Sequence, residues 1–190
     1  MNPDTNQEVH NAYEVIKQGG IILYPTDTVW GIGCDATNEE AVAKIYALKQ
    51  REESKSMIVL MNGEKMIYIV FAAIPEVAWE IWDLSEKPTT LILDNPRNVA
   101  KNIISDDNTL GVRIVKEPFC FKLLERMKRP LVSTSANLNG MFTPKTFKEI
   151  SPEIIKGVDY VVNLQHDKVC DKPSTIIKLS LDNQVKIIRK

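Results

Sequence analysis

The sequence predicts an α/β protein: one twisted, open sheet of mixed parallel/antiparallel strands with flanking helices. Short runs rich in apolar and β-branched residues recur from residue 21 to residue 188, each of strand length. Segments with helical spacing lie between these runs rather than in a separate block. No repeat, low-complexity tract or linker interrupts the 190 residues, so 1–190 reads as a single domain.

Local chemistry justifies each element in turn. Residues 9–17 carry helical spacing and stop at Gly19-Gly20, where the backbone can leave a helix. A strand over 21–24 ends at Pro25, which lacks a ladder donor and fixes its own φ. Thr37 with Glu40 reads as a capping box, and Ala41, Ile45 and Leu48 form one apolar stripe reaching Lys49. Residues 57–61 are apolar and short enough for a buried strand. Residues 65–70 and 75–84 follow, the latter helical around Val77, Trp79 and Ile81. Strands are expected over 90–93, 110–115, 131–133, 160–162, 174–179 and 185–188, with a helix over 119–127.

Composition excludes several functional classes. With 44% hydrophobic and 26% charged residues the chain can bury a full core. Lys and Arg number 24 against 25 for Asp and Glu, so bulk charge does not point to a histone-like nucleic-acid binder. Asn2, Pro3, Asp4 and Glu8 are unlike a signal peptide, and no apolar stretch approaches the ~18 residues of a membrane span. A cytoplasmic protein without a membrane partner is expected. Cys34, Cys120 and Cys170 are scattered and odd in number, which fits reduced core thiols and neither a disulfide framework nor structural zinc.

Polar residues concentrate where the predicted elements end. Pro25-Thr26-Asp27-Thr28 follows the first strand, either as a capped turn or as a ligand-facing edge. Lys49-Gln50-Arg51, with Lys55 beyond, stands between a helix end and a core strand. Such cations either complement the helix dipole or grip phosphates, Arg as a fork and Lys as a point charge. Ser133-Thr134-Ser135-Ala136-Asn137 leaves a strand and precedes Asn139-Gly140, as an Asx or Ser turn or as a binding loop. Familiar templates are missing. No G-x-x-x-x-G-K-[ST] occurs, Gly31-Ile32-Gly33 lacks the third glycine of a dinucleotide fingerprint, and no serine sits in G-x-S-x-G. His10 and His166, the two histidines, lie near no motif and form no transition-metal ligand set.

YPTDTVWGIGCD at 24–35, LKQR at 48–51, GVRIV at 111–115, STSAN at 133–137 and PSTII at 173–177 together resemble the YrdC-like family of threonylcarbamoyl-AMP synthases, in its short single-domain form. The resemblance implies a YrdC/RibB-like sheet around a basic concave cavity. It also implies condensation of L-threonine, bicarbonate and ATP, with Mg2+, into threonylcarbamoyl-adenylate and pyrophosphate. Downstream threonylcarbamoyl-transferase proteins then modify a tRNA adenosine. Carried onto matching positions, the family's K-x-R falls on Lys49 and Arg51 and its S-x-N on Ser135 and Asn137, all ATP-binding, with Lys49 and Arg51 catalytic. Lys55, Thr143 and Ser174 add ATP contacts; Thr28, Arg113 and Ser133 fall where L-threonine binds. Arg113, on a buried-looking strand, needs a carboxylate partner: that of threonine, or an Asp or Glu of the chain. Asp27 is left as a turn cap or an indirect magnesium ligand.

The chain departs from many relatives at Ser85-Glu86-Lys87-Pro88, where they carry W-P-G-P, and at Glu52 and Leu60, where they place proline and histidine. Two other classes compete with the synthase. One is an RNA-binding module for tRNA or double-stranded RNA, using the cations at 122, 126, 128 and 129. The other is a carbamoyl-adenylate-forming enzyme that uses carbamoyl phosphate.

Overall fold

Asp4 starts the first helix by accepting the Asn6 amide, and the face carrying Val9, Ala12 and Ile16 is buried. In this computed structural model, which describes residues 4–50, 57–170, 172–182 and 184–190, that helix is α1 (Thr5–Lys17). It is followed by β1 (Ile22–Tyr24), β2 (Gly31–Gly33), α2 (Glu39–Lys49), β3 (Ile58–Met61), α3 (Glu64–Val70) and α4 (Val77–Leu84). Next come β4 (Thr89–Asp94), β5 (Thr109–Ile114), α5 (Pro118–Met127) and β6 (Leu131–Ser135). The chain closes with α6 (Pro152–Gly157), β7 (Tyr160–Val161), β8 (Thr175–Leu179) and β9 (Val185–Arg189).

The strands form one nine-stranded mixed sheet in the order β7-β1-β2-β6-β3-β5-β4-β8-β9. The β1–β7, β3–β5 and β4–β8 pairs are parallel; the other neighbours are antiparallel. This is the mixed α/β sheet expected from the sequence. Leu23, Ile32, Val59, Leu91, Val112 and Val132 retain no exposed surface, and burial of such side chains contributes about 1.5–3 kcal/mol each. At the other extreme β9, the outer edge, is exposed along its whole length. Lys186 and Arg189 give that edge the charges that discourage further strand pairing.

Local competition moves some boundaries. Thr37 does not cap α2; its amide and hydroxyl both donate to Asp35, at 2.8 and 2.7 Å, and Asn38 takes the cap by accepting from Ala41. Asp35 forms the tighter local turn, so the N-cap falls one residue later and, with Ala41 opposite it, has no reciprocal capping box. The strand expected over 131–133 continues to Ser135, because Gly31 and Ile32 of β2 pair with Ser135 and Thr134. Helix α6, starting at the Ser151 cap with Pro152 next, was not expected.

Strand β2 also escaped the sequence reading, since two of its three residues are glycine, and the structure supplies the reason for them. A Cβ on Gly33 would fall 2.2 Å from the Val132 carbonyl oxygen and 2.8 Å from the Tyr24 ring. The glycines let that ring lie across β2, so that the Tyr24 hydroxyl donates to the Val132 carbonyl at 3.1 Å. Among the described residues, no helix is long and apolar enough to cross a membrane.

Candidate active site

Sheet register sets the site. Gly31 opposes Ser135, Ser133 opposes Ile58, and Ile58 opposes Gly111. Arg113 opposes Thr90, Thr90 opposes Ile176, and Ile176 opposes Arg189. Successive side chains alternate between faces, so Ser133, Ser135, Ile58, Arg113, Ile176 and Arg189 share one face across six strands. Thr28 and Val29, from the turn after β1, and Thr143, from the loop after β6, complete a cavity of about 230 Å³. No carboxylate is among the described residues lining it.

The turn after β1 presents an acceptor. Thr26 donates its hydroxyl to the Val29 carbonyl at 2.7 Å and accepts the Thr28 amide at 2.9 Å. Its one hydroxyl proton is therefore committed, so the 2.9 Å contact between the two threonine hydroxyls is Thr28 donating to Thr26. Thr28 keeps lone pairs for a donor in the cavity.

Arg113 is the buried charge of the site, 3% exposed, and its terminal nitrogen donates to Asp27 at 3.0 Å. Of the two partners open to it in the sequence, the chain's own carboxylate is the one seen. Asp27 thus does more than cap a turn: one of its carboxylate oxygens is held by Arg113. The pairing is incomplete, because the Arg113 Nε is buried with no hydrogen-bond partner. An unmatched buried donor on a guanidinium costs about 1–3 kcal/mol and suits a cavity that receives an anion.

Arg189 is the residue that sequence reasoning missed. It reaches from β9 to donate to the Ser174 carbonyl at 3.0 Å and the Ser174 hydroxyl at 3.3 Å, and that hydroxyl also bonds Thr90 at 2.8 Å. Partial burial, and then the nearby positive charge of Arg113, hold its pKa below the ordinary value. Two guanidiniums facing one cavity repel until an anion enters. Nothing around residue 189 signalled this, since its partner Ser174 lies 15 residues away in sequence, just before β8.

The structure brings six of the expected residues to this cavity: Thr28, Arg113, Ser133, Ser135, Thr143 and Ser174. Lys49 and Asn137 are not in its lining. Lys49 is 2% exposed, and its ammonium donates to the carbonyls of Ser135 and, at 2.6 Å, Asn137. The Asn139 amide donates back to the Lys49 carbonyl at 2.9 Å. Lys49 therefore locks the end of α2 to the loop leaving β6. Within that loop the Ser135 hydroxyl donates to the Asn137 side chain at 2.5 Å, and the Asn137 amide donates to the Met141 carbonyl at 2.7 Å. Arg51 and Lys55 lie outside the described residues. No cluster of three or more His, Cys, Asp or Glu suited to a metal occurs among the described residues.

The same pattern is found in known proteins. The profile of the Sua5/YciO/YrdC domain, described as "Telomere recombination", matches residues 14–190. A protein of Methanocaldococcus jannaschii is 36% identical over 173 residues, covering 90% of this chain and 80% of its own. The threonylcarbamoyl-AMP synthase of Pseudoalteromonas translucida is 32% identical over 155 residues, covering 80% of this chain and 83% of its own. Among solved structures, P. abyssi Sua5 complexed with L-threonine superimposes with a TM-score of 0.85 at 24% identity, a likeness of fold. It covers 94% of this chain, which spans 52% of that protein. With its motifs, its sheet and nearly all of its length matched, the chain belongs to the Sua5/YciO/YrdC family.

Proposed function

We propose that this chain, acting as one domain over 1–190, is an L-threonylcarbamoyladenylate synthase. It condenses L-threonine, bicarbonate or CO2 and ATP into threonylcarbamoyl-AMP and pyrophosphate, for use in tRNA modification. The observation that carries the reading is one shared cavity with no carboxylate among its described lining residues. There the residues matched to amino-acid binding, Thr28, Arg113 and Ser133, adjoin those matched to nucleotide binding, Ser135, Thr143 and Ser174.

The unmatched Nε of Arg113 offers a donor to the threonine carboxylate, and the lone pairs of Thr28 accept from the amino acid. The threonine amine adds to carbon dioxide with loss of a proton, or to bicarbonate with loss of water, and an oxygen of the resulting carbamate then attacks the α-phosphorus with pyrophosphate leaving. This chemistry depends on positioning and charge stabilisation more than on acid–base groups. Arg189, together with Arg51 and Lys55 as the family's motif matches them, neutralises phosphate charge. Lys49 contributes by fixing the Ser135–Asn137 backbone. With Asp27 held by Arg113, magnesium arrives on ATP with phosphate oxygens as its main ligands. Cytoplasmic location, delivery to downstream transferase proteins and contact with tRNA belong to the same proposal.

The test is incubation of the purified protein with ATP, magnesium and bicarbonate, plus threonine, serine or carbamoyl phosphate in separate reactions, followed by mass identification of the adenylate. A threonylcarbamoyl-AMP product is expected. A carbamoyl-adenylate, or salt-dependent tRNA binding with no adenylate, would replace the proposal by one of its competitors.

A further inference from the structure

Three loop segments line the active-site cavity: 28–29, 143 and 173–174. Beyond the lining, three rings join the same segments to one another. Trp30 follows Val29, Phe147 belongs to the turn after Thr143, and His166 lies on the connection that leads from β7 to Ser174. The Phe147 and His166 rings stack with centroids 3.9 Å apart and planes 10° apart. Trp30 meets Phe147 at 5.1 Å and His166 edge-on at 5.5 Å. We infer that His166 is a positioning residue: its ring, set against Phe147 and Trp30, holds the three segments in register, so that Thr28, Thr143 and Ser174 meet one bound substrate complex. This rests on the synthase reading proposed above and adds to it a residue outside all five motifs.

The rings depend on one another for their places. Trp30 is fully buried, yet its indole nitrogen has no hydrogen-bond partner among the described residues, so ring contacts rather than polar bonds fix it. His166 is anchored at its edge. The Val162 carbonyl can only accept, so the His166 Nε2 carries a proton and donates to it at 3.1 Å, while the Val162 amide bonds the Leu23 carbonyl of β1 at 2.9 Å. Next to His166, the Gln165 side-chain amide donates to Glu117 at 2.8 Å. The turn at 145–149 is closed by Glu149, which accepts the Lys145 amide at 2.9 Å. The Cys170 amide donates to the Lys145 carbonyl at 2.7 Å, a second tie between that turn and the β7–β8 connection. Ring packing of this kind always adds stability. Here it also sets alignment, and in a reaction that relies on positioning a shift of about 1 Å costs about 100-fold in rate.

The test compares His166→Ala, which removes the ring, with His166→Phe, which keeps a ring to stack and loses the bond to Val162. Each variant is assayed below its melting temperature, with folding checked by circular dichroism. Calorimetry with ATP reads the cavity without turnover: His166→Ala should bind about tenfold more weakly, and His166→Phe within about threefold of wild type. With threonine, ATP and bicarbonate, kcat should fall at least about tenfold in His166→Ala and recover in His166→Phe. Phe147→Ala should match His166→Ala, and the double variant should lose little more than either, because the two rings act as one unit. Wild-type ATP affinity and kcat in folded His166→Ala, additive losses in the double variant, or no recovery in His166→Phe overturns the proposal. The expected series of ATP affinities in a protein that forms no threonine-dependent adenylate would keep the role of the rings and remove the synthase reading.

Discussion

Asp27 and Arg113, 86 residues apart, form an ion pair at 3.0 Å that occupies one terminal nitrogen of the guanidinium and leaves its buried Nε without a partner. The carboxylate orients the arginine from one side, so the open edge serves the cavity. Lysine supplies the charge but not the planar fork. Arg113→Lys is expected to raise the KM for threonine about 100-fold, the equivalent of roughly 3 kcal/mol of charge-assisted hydrogen bonding. Asp27→Asn keeps an acceptor and loses the charge, so a rise of about tenfold is expected. Steady-state kinetics with threonine varied at saturating ATP check both values. An unchanged KM in Arg113→Lys would remove the residue from the amino-acid site.

Lys49 separates structural from direct phosphate roles. Lys49→Met leaves the Ser135 and Asn137 carbonyls without their ammonium donor, at a cost of about 3 kcal/mol. For a chain of this size the melting temperature should fall by roughly 10 °C, with weaker ATP binding in parallel. Thermal denaturation and calorimetry on one preparation check this. Lost ATP binding with an unchanged melting temperature would assign Lys49 to the phosphates instead.

Gly33 should tolerate no side chain. In Gly33→Ala the new methyl meets the Val132 carbonyl oxygen at 2.2 Å, a backbone atom of β6 that also accepts the Tyr24 hydroxyl, so relief requires backbone to move. A loss of at least about 3 kcal/mol is expected, read by urea denaturation. Gly140→Ala, in a loop with open space but φ of +78°, should lose only about 1 kcal/mol.

The core thiols fix one pH response. Burial, and then Glu117, pushes the Cys120 thiol well above its ordinary 9.0, and burial also raises Cys34. A raised folded pKa means that the native state holds its protons where the unfolded state releases them. The associated stability is complete below about pH 9 and is lost as pH climbs above it. Denaturant midpoints should therefore fall between pH 9 and 10.5, and Cys34→Ser/Cys120→Ser should flatten that fall. Iodoacetamide at pH 8 should label both thiols only after unfolding.

The expected boundaries for α1, α2, β4, β5 and α5 fall within a few residues of those seen, because helical spacing, stop signals and β-branched runs act over one or two turns of chain. Local signals also put Arg113 on a strand and Thr28 beyond Pro25. Strand β2 was not legible, since Gly31 and Gly33 are chosen for the Tyr24 ring rather than for strand propensity. Arg189 was not legible either, as its partner Ser174 lies 15 residues away, just before β8, and the like charge of Arg113 is on β5.

By itself the sequence determined the strand and helix character of most segments, the stops of α1 and α2 and, through five ordered motifs, the family. Only the tertiary structure decided that Ser133, Arg113 and Arg189 share one face of one cavity, that Asp27 pairs with Arg113, and that Lys49 braces the Ser135–Asn137 loop. The physical reason is that side-chain alternation is encoded within a strand. Strand order and register are settled by burial across the whole nine-stranded sheet, and no short window of sequence carries them.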